Sequence, residues 1–295
     1  MKVVITLPAY NEEKTLGGVL DSIKKVMDGT AYTYQILVVD DGSKDRTAHI
    51  AKQHGAVVVS HPRNYGLAEA FRTEMEHCLR LGADIIVHTD ADGQYRAQEI
   101  PGLIKKVEQG YDFVMGSRFM GHIESMPLLK RLGNKAFSKV LSHITKTKIT
   151  DGQTGFRAFT REVAEKVSIS STHTYTQEQI IRVVRQKFKL LEVPAYFAKR
   201  GGDTTSRLMK NPFDYAIKAW ITLFRVYRDY EPLKFFGFIG GLFFTVGVLI
   251  GLFVLWNILT TGIAGGIPRV ILSALLILSG IQVWLFGFLA DMHKK

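Results

Sequence analysis

The chain has 295 residues, a formal net charge of +11, 46% hydrophobic residues and one cysteine. This length supports one sizeable core with residues to spare, and a single cysteine excludes an internal disulfide framework. The positive charge points to an anionic partner, which is nucleic acid, an anionic lipid surface or a phosphorylated substrate. The apolar N-terminal run is short and ends at Pro8, so it does not fit a signal peptide. We therefore expect the chain to act in the compartment where it is made.

Short β-branched runs alternate with helical stretches in the first part of the chain. The predicted strands are Val3 to Leu7, Gln35 to Val39, Ala56 to Ser60, Ile85 to Thr89 and Phe113 to Gly116. The predicted helices are Glu13 to Met27, Arg46 to His54, Ala68 to Leu81 and Gln98 to Gln109. Helices of this length connect parallel strands by right-handed crossovers. We predict a Rossmann-like, mostly parallel α/β domain over residues 1–207, with ligands beyond the carboxyl ends of its strands.

Polar residues follow the first two predicted strands. Tyr10 is suited to stacking on a nucleobase and Glu12 to binding it, although this segment alone is only a strand-to-helix turn. Asp40 or Asp41, after the second strand, can accept hydrogen bonds from a base or a ribose. The alternative is that Ser43 or Asp45 caps the next helix.

Two carboxylates follow the fourth predicted strand, in the sequence Asp90-Ala91-Asp92-Gly93-Gln94. Alternate residues of an extended segment point the same way, so Asp90 and Asp92 can approach one hard cation, and Gln94 can join them. Such a cation would clamp a diphosphate and offset charge on a leaving group. A calcium loop is the rival interpretation, but that pattern needs glycine at its sixth position, where Tyr95 stands.

Two C-terminal segments, 235–259 and 270–290, contain no charged residue. At about 1.5 Å per residue each exceeds the roughly 30 Å hydrocarbon layer, so we predict two transmembrane helices. The linker 260–269 would be a short external loop and 291–295 a basic tail. Residues 199–234 hold eight Lys or Arg against four Asp or Glu, which places the N-terminal domain and both termini in the cytoplasm.

Residues 208–234, just before the first predicted span, place apolar side chains at helical spacing among Lys and Arg. The pattern predicts an amphipathic helix in the membrane interface, and an ordinary surface helix gives nearly the same pattern. The pairs Gly237/Gly241 and Gly247/Gly251 have the spacing that allows close helix packing. The spans are thus also a possible site of homo-oligomer formation.

Several motifs then occur in order along the chain. They are LPAYNEE (7–13), VVDDGSKDRT (38–47), DADGQ (90–94), GSRF (116–119), DGQTGFRAF (151–159) and EVPAYFAKRGGDTTSRL (192–208). Together with the two spans, they resemble the inverting family 2 glycosyltransferases, which have the GT-A fold. Within that family, the resemblance is to polyprenyl-phosphate glycosyl synthases typified by dolichol-phosphate mannose synthase. It covers most of the chain.

The resemblance implies an activity. The chain would transfer a sugar from a GDP- or UDP-sugar, with inversion and with Mg²⁺ or Mn²⁺, to a dolichyl or undecaprenyl phosphate in the bilayer. The product would be a β-linked lipid phosphate sugar for glycan or glycoprotein assembly. One departure from the family concerns its Asn-x-Gly segment, which Asn64 to Gly66 matches but Leu67 and Ala68 do not continue in the usual way. The donor pocket can therefore differ.

The resemblance also implies residue roles. Pro8, Tyr10, Glu12, Asp40, Asp41 and Asp90 would bind the nucleotide-sugar, and Asp90, Asp92 and Gln94 would hold the metal and the donor phosphates. Arginine binds phosphate bidentately and stays charged. The predicted contacts to the lipid phosphate are Arg118, Arg131 and Arg200, and their alternative role is that of surface charges.

A phosphate acceptor needs no dedicated base, because its second pKa is about 6. If a base exists, the candidates are Asp151 and Glu178, with positioning an equal role for Asp151. One rival enzyme would glycosylate a membrane lipid hydroxyl and would need that base. A non-catalytic nucleotide-binding membrane protein is disfavoured by the DADGQ motif. Nucleic-acid binding is not expected, because the basic residues gather beside the spans.

Overall fold

The computed structural model describes residues 1–170, 175–199, 224–262 and 266–292. The chain forms two compact units, Met1–Tyr215 and Ala216–Lys295. The predicted domain boundary after residue 207 lies outside the described residues, as does most of the predicted interfacial helix. The described part of that segment is helical from 224 to 230.

The first unit is built on a seven-stranded sheet with the order β3-β2-β1-β4-β6-β5-β7. The strands are β1 (Lys2–Ala9), β2 (Thr33–Asp40), β3 (Val57–Ser60), β4 (Ile85–His88), β5 (Phe113–Ile123), β6 (Arg157–Thr160) and β7 (Leu190–Phe197). Strand β6 runs antiparallel to β4 and β5, and the other neighbours are parallel. The predicted mostly parallel α/β sheet is confirmed.

Helices cover both faces of this sheet. They are α1 (Leu16–Met27), α2 (Thr47–Gln53), α3 (Leu67–Arg80), α4 (Ile100–Glu108), α5 (Leu128–Thr145), α6 (Arg161–Lys166) and α7 (Thr176–Arg185). In α1 the buried residues Leu16, Leu20, Ile23 and Met27 recur at helical spacing, which directs one apolar stripe at the core. They share that core with α4, whereas Phe71 of α3 contacts His88 on the opposite face.

The strand register explains where the polar turns meet. Ala9 at the end of β1 pairs with Asp40 at the end of β2, and Thr6 pairs with His88 at the end of β4. Continued by two residues, the second register brings Asp90 beside Pro8. The carboxyl ends of three parallel strands therefore open at one edge, as in other open α/β sheets.

The second unit contains two long apolar helices, α8 (Pro232–Thr261) and α9 (Ile267–Met292). Only 17% of the most apolar stretch of each is buried, so these are not core helices of a soluble fold. Both are long and apolar enough to cross a bilayer. They are candidate membrane spans, as the sequence predicted.

The two long helices pack along small residues spaced by seven. The buried positions are Gly240, Gly247 and Val254 in α8 and Ser273, Gly280 and Gly287 in α9. A Cβ at Gly240 would lie 2.8 Å from the Gly280 carbonyl oxygen, so the backbones come too close for a side chain there. Where Gly247 faces Ser273, the serine hydroxyl donates to the Gly247 carbonyl oxygen at 2.8 Å. Small residues allow this close packing in membrane helices.

The predicted glycine pairs are only partly the ones that the helices use. Gly247 and Gly251 face α9, since a Cβ on either would lie 2.9 Å from an atom of that helix. A Cβ on Gly237 would meet nothing within 4 Å, and this residue contacts α9 through its carbonyl oxygen, which accepts the Trp284 indole N–H at 3.0 Å. The four-residue spacing missed Gly240 because the packing repeat is seven residues long.

Candidate active site

A cleft of about 370 Å³ opens at the carboxyl ends of β1, β2 and β4. Its wall includes predicted site residues from all three strand ends, namely Pro8, Tyr10, Glu12, Asp41, Asp90 and Asp92. The start of α3 and the turn before it complete the wall with Asn64, Gly66, Leu67 and Ala70. The polar turns that sequence reasoning treated separately thus meet around one space.

Asp90 and Asp92 both reach the cleft and both are partly exposed. One oxygen of Asp92 accepts the Gln94 backbone N–H at 3.1 Å, which holds the turn after β4. Asp90 lies against Gly155, where a Cβ would stand 2.8 Å from the Asp90 Oδ1. A glycine at 155 therefore leaves Asp90 room beside the loop before β6. The two carboxylates offer hard oxygen ligands to one space.

The turns after β1 and β2 are bonded to each other. The Asn11 N–H donates to the Ser43 hydroxyl at 2.9 Å, and the Glu12 N–H donates to the Thr47 hydroxyl at 2.8 Å. Of the two predicted helix caps, Asp45 accepts the Thr47 N–H at 3.0 Å, whereas Ser43 instead holds the β1 turn. These bonds fix the backbone that carries Tyr10 and Glu12 into the cleft.

Asp40 and Asp41 differ in what they do. The Asp41 carboxylate accepts the N–H groups of Tyr65 and Gly66, both at 2.9 Å, and lies 2.7 Å from His61 Nδ1. It therefore clamps the turn that leads into α3, at the cleft wall. Asp40 is buried, accepts the Ser43 N–H at 3.1 Å and is not among the residues that line the cleft.

Gln94 is bonded to the residue that follows β7. Its side-chain amide donates to the Ala198 carbonyl oxygen at 3.0 Å, and its own carbonyl oxygen accepts the Ala198 N–H at 2.8 Å. These bonds join the turn after β4 to the end of β7. Because the amide N–H is the group that donates here, the side-chain carbonyl oxygen of Gln94 is the atom that would bind a cation, and the metal-ligand role of Gln94 stays a prediction.

Arg118 and Asp151 form a buried ion pair. The guanidinium donates from Nε to Asp151 Oδ2 at 2.6 Å and from Nη2 to Oδ1 at 2.8 Å, and the Arg118 backbone N–H adds a third bond at 3.0 Å. The Asp151 side chain is fully buried and that of Arg118 is 5% exposed. Asp151 is thus bound to Arg118 in this structure, and the roles of Asp151 as a base or positioning residue and of Arg118 as a lipid-phosphate contact stay predictions.

The other predicted base and arginines lie elsewhere. Glu178 is buried, binds the Ser170 N–H and pairs with Arg182 at 2.8 Å, so it is not poised as a base. Arg131 is exposed on the first turn of α5. Arg200 lies outside the described residues.

Sequence reasoning missed a buried polar network behind Asp90. His88 Nε2 lies 3.2 Å from the Glu74 carboxylate, and His88 Nδ1 lies 2.7 Å from the Gly155 carbonyl oxygen. Tyr175 covers this pair and stacks on Phe71. Burial lowers the pKa of His88, but the Glu74 carboxylate, Asp90 and the bond to the Gly155 carbonyl oxygen together raise it by more, so the net shift is upward. A lone histidine at the end of an apolar strand was the only signal in the sequence.

Buried Arg157 was missed as well. It starts β6, donates to the Thr154 carbonyl oxygen at 2.9 Å and to Gln179 at 2.7 Å, and burial lowers its pKa. Asp90 opposes that shift, so this cation lies close enough to interact electrostatically with the cleft carboxylate. The FRAF sequence gave no sign that this arginine would point inward.

A second cleft, of about 400 Å³, shares Asp92 with the first. It lies between α1 and the start of α4, with Ser22, Arg96 and Lys199 among its lining residues. Arg96 lies over the ring of Tyr196 at 3.2 Å. Across the described ranges, no three His, Cys, Asp or Glu side chains converge on a metal position. The protein would thus supply the Asp90 and Asp92 carboxylates, with the Gln94 amide oxygen as the third predicted ligand, and bound molecules would supply the rest.

The chain matches one family model and is similar to several named proteins. The family model described as "Glycosyl transferase family 2" matches residues 4–168. A dolichyl-phosphate hexose transferase of Haloferax volcanii is 32% identical over 203 residues, covering 68% of this chain and 85% of the relative. A dolichol-phosphate mannosyltransferase of Pyrococcus furiosus is 28% identical, covering 97% and 81%.

Solved structures show the same fold. A glucosyl-3-phosphoglycerate synthase from Mycobacterium tuberculosis, in complex with Mn²⁺, uridine diphosphate and phosphoglyceric acid, matches with a TM-score of 0.56 and 20% identity. The match covers 75% of this chain and 78% of that one. At this identity the likeness concerns the fold, which is the GT-A type that the sequence predicted.

Proposed function

The chain belongs to glycosyl transferase family 2 and is a glycosyltransferase, and we propose that it transfers a sugar from a nucleotide-sugar to a polyprenyl phosphate. The acceptor class rests on the relatives, which include transferases named for dolichyl phosphate and, in one case, for undecaprenyl phosphate. The candidate donors are GDP- and UDP-sugars. The candidate acceptors are dolichyl phosphate and undecaprenyl phosphate.

The observation that carries the proposal is the shared cleft. Asp90 and Asp92 face the same space as Tyr10, Glu12 and Asp41. A nucleotide-sugar needs a surface for its base and ribose beside carboxylates that can organise its diphosphate. The turns after β1 and β2 supply the surface for the base and ribose. The turn after β4 supplies the carboxylates. Of the predicted nucleoside contacts, Asp40 has the weakest support, because its carboxylate is used within its own turn.

Mg²⁺ or Mn²⁺ fits the residues present. Such ions are often held by one or two carboxylates together with substrate phosphates and water, rather than by a complete protein cage. Asp90 and Asp92 supply the carboxylates, and the donor diphosphate would supply further oxygens. When bound, the ion offsets the charge that develops on the leaving nucleoside diphosphate.

The residues of the chain itself would orient the reactants. Tyr10 would stack on the base, and Glu12 would bind it from a turn that Ser43 and Thr47 hold in place. Asp41 fixes the turn before α3 against the donor side of the cleft. Asp92, held in part by the Gln94 N–H, would bind the cation on the diphosphate from the turn after β4. In-line attack with inversion would convert an α-linked donor into a β-linked product.

Two ion pairs, Asp151 with Arg118 and Glu178 with Arg182, favour a phosphate acceptor over a hydroxyl acceptor. A hydroxyl needs a positioned base, and both candidate carboxylates are buried in ion pairs. A phosphate with a second pKa of about 6 is already ionised at neutral pH and needs no such group. Glycolipid synthesis therefore ranks second.

The chain is a membrane protein with a proposed topology. The positive charge before α8 supports a cytoplasmic catalytic domain and cytoplasmic termini. Arg131 on the exposed first turn of α5, and Arg200, are the arginines that we propose for the lipid phosphate. Replacing either with alanine should raise the KM for the lipid acceptor with little change in the KM for the donor.

One assay tests the proposed function. Purified full-length protein is incubated with a panel of GDP- and UDP-sugars, a short polyprenyl phosphate and Mg²⁺ or Mn²⁺, and lipid products are identified by mass. We expect one donor to give a polyprenyl phosphate sugar. A product with diacylglycerol and none with polyprenyl phosphate would reverse the ranking of acceptors.

A further inference from the structure

Helix α9 carries one amide side chain near its middle, on its exposed side. Gln282 is exposed, and at about 1.5 Å per residue it lies about 4 Å along the axis from the midpoint of α9. Within the described ranges, the Gln282 side chain makes no hydrogen bond. An unpaired amide is strongly unfavourable in hydrocarbon. A helix that crosses a bilayer with an amide at this depth therefore needs a partner group there.

Gln282 belongs to a row of side chains that follow one another in alternating steps of three and four residues. We call this row the outer seam, and its apolar members are Ile271, Leu275, Leu278, Leu285 and Leu289. Each of these is at least half exposed. Such steps are the spacing of coiled coils, in which the side chains pack against a facing helix and a single polar one fixes the register and the number of helices. The outer seam thus has the pattern of a contact between helices.

The outer seam lies on the side of α9 opposite to α8. The residues of α9 that are buried against α8 recur at intervals of seven and are Ser273, Gly280 and Gly287. A seven-residue repeat gives about 3.5 residues per turn, so positions two and five residues after a buried one straddle the far side of the helix. Gln282 and Leu285 stand two and five residues after Gly280. Helix α9 can therefore contact α8 and a further helix at the same time.

We propose that a second copy of the chain packs on the outer seam, with the two Gln282 amides hydrogen-bonded to each other. Two copies inserted in the same orientation are related by a two-fold axis along the bilayer normal, so each residue meets its own copy at one depth. An amide has both donors and an acceptor, so two glutamines can satisfy each other. Side chains of this kind form hydrogen bonds across membrane helices. The proposal goes beyond the sugar transfer.

Lipid does not satisfy Gln282 at this depth. Acyl and polyprenyl chains have neither a donor nor an acceptor for an amide, and lipid headgroups lie at the bilayer surface. The apolar members of the outer seam alone would not select a protein partner, because lipid tails are as apolar as leucine. The outward side of α8 differs, since its exposed residue near mid-helix is Thr245. A threonine hydroxyl can bond a carbonyl oxygen of its own helix, so that side needs no second chain.

Brief oxidation of introduced cysteines in lipid vesicles tests the contact without any sugar transfer. Cys78, the sole cysteine of the chain, is buried, so the oxidant joins only the introduced thiols. Leu278→Cys lies in the outer seam. Leu249→Cys is the matched control, because Leu249 is 60% exposed near the middle of α8 and stands two residues after Gly247, which faces α9. Non-reducing gels give the cross-linked fraction of each full-length variant as lipid is added.

We expect Leu278→Cys to give a disulfide-linked dimer that persists on dilution with lipid, and Leu249→Cys to give little dimer at any dilution. Adding Gln282→Leu to Leu278→Cys should lower the lipid-to-protein ratio at which half of the cross-linking is lost by roughly tenfold, because it removes the paired amides. Adding Gln282→Asn instead should leave that ratio close to the Leu278→Cys value, because asparagine retains an amide.

Two results would overturn the proposal. Cross-linking at position 278 that is no greater than at position 249 would show that lipid or a different protein, and not a second copy, covers the outer seam. Cross-linking at position 278 that Gln282→Leu leaves unchanged would show that the amides do not pair. Neither result depends on whether the chain transfers sugar, so failure here is distinct from failure of the proposed function.

Discussion

Two carboxylate sites in this protein have similar local sequences but differ in their exposure to solvent. Asp90 and Asp92 precede Gly93 and face an open cleft, whereas Asp151 precedes Gly152 and is fully buried against Arg118. A carboxylate in the cleft can bind a cation or a substrate group. A buried carboxylate that accepts four N–H bonds, as Asp151 does, stabilises the fold. The comparison teaches that burial and partners, more than the motif, decide which aspartate can take part in chemistry.

The largest expected effect concerns the carboxylates that face the cleft, Asp90 and Asp92. Asp92→Asn should lower turnover by at least about 10²-fold, because it removes a group that organises transition-state charge. EDTA should abolish turnover in the wild-type protein, and Mn²⁺ should restore it. Asp84→Asn is the control, since Asp84 is an exposed carboxylate just before β4, and it should keep activity. Near wild-type turnover of Asp92→Asn, with its melting temperature unchanged, would remove Asp92 from the site.

The second prediction concerns the buried aspartate, Asp151. Asp151→Asn should destabilise the protein by about 3–5 kcal/mol, because it leaves the buried Arg118 charge without its partner. The double variant Arg118→Met/Asp151→Leu should recover most of this loss, since it removes both charges. Melting temperatures in detergent measure both. A stable Asp151→Asn protein that has lost turnover would instead restore Asp151 as a catalytic base.

A third test displaces the Asp90 side chain by substituting its neighbour, Gly155. A Cβ at Gly155 would stand 2.8 Å from the Asp90 carboxylate, so Gly155→Ala should push that side chain aside. At a cost of about 1–3 kcal/mol for overpacking, the Mn²⁺ concentration for half-maximal activity should rise roughly tenfold. Gly102→Ala is the matched control, because nothing lies within 4 Å of that position. Equal Mn²⁺ dependence in both variants would show that Asp90 is not where the cation binds.

The smallest expected effect concerns pH. Burial lowers the pKa of His88 in the fold, but Glu74, Asp90 and the Gly155 carbonyl oxygen together raise it by more, so the net shift is upward. Its contribution to stability is therefore complete below the unfolded pKa of about 6.5 and is lost as pH rises through the folded pKa. The difference in melting temperature between wild type and Glu74→Gln should shrink as pH increases above that point. A difference that does not change with pH would mean that His88 stays neutral.

Much of the fold was predictable from local pattern. The first four strands and the helices between them follow apolar runs and helical spacing, and the predicted limits of α3 differ from the observed ones by one residue at each end. Strand β6 was missed because it has four residues and runs antiparallel between β4 and β5. Its place depends on contacts across the sheet, which no local pattern contains. Helix α5 was also missed, since glycine and serine interrupt its apolar stripe.

The candidate site was predictable as far as it depends on strand ends. Tyr10, Glu12, Asp41, Asp90 and Asp92 follow parallel strands, and parallel strands share a carboxyl edge. Whether a side chain at that edge points outward was not predictable, because it depends on partners that are distant in sequence. Arg118 meets Asp151 across 33 residues, and His88 meets Glu74 from a different element. Each of these pairs joins elements that are separate in sequence and meet only in the folded chain.

Binding of Mn²⁺ to the full chain tests the central claim most directly, measured by electron paramagnetic resonance with and without UDP or GDP. We expect one of the two nucleotides to strengthen Mn²⁺ binding in the wild-type protein, and that gain to disappear in Asp90→Asn/Asp92→Asn while Asp84→Asn retains it. The same nucleotide-dependent binding in the double variant as in wild type would contradict the account, because the cation would then be held elsewhere.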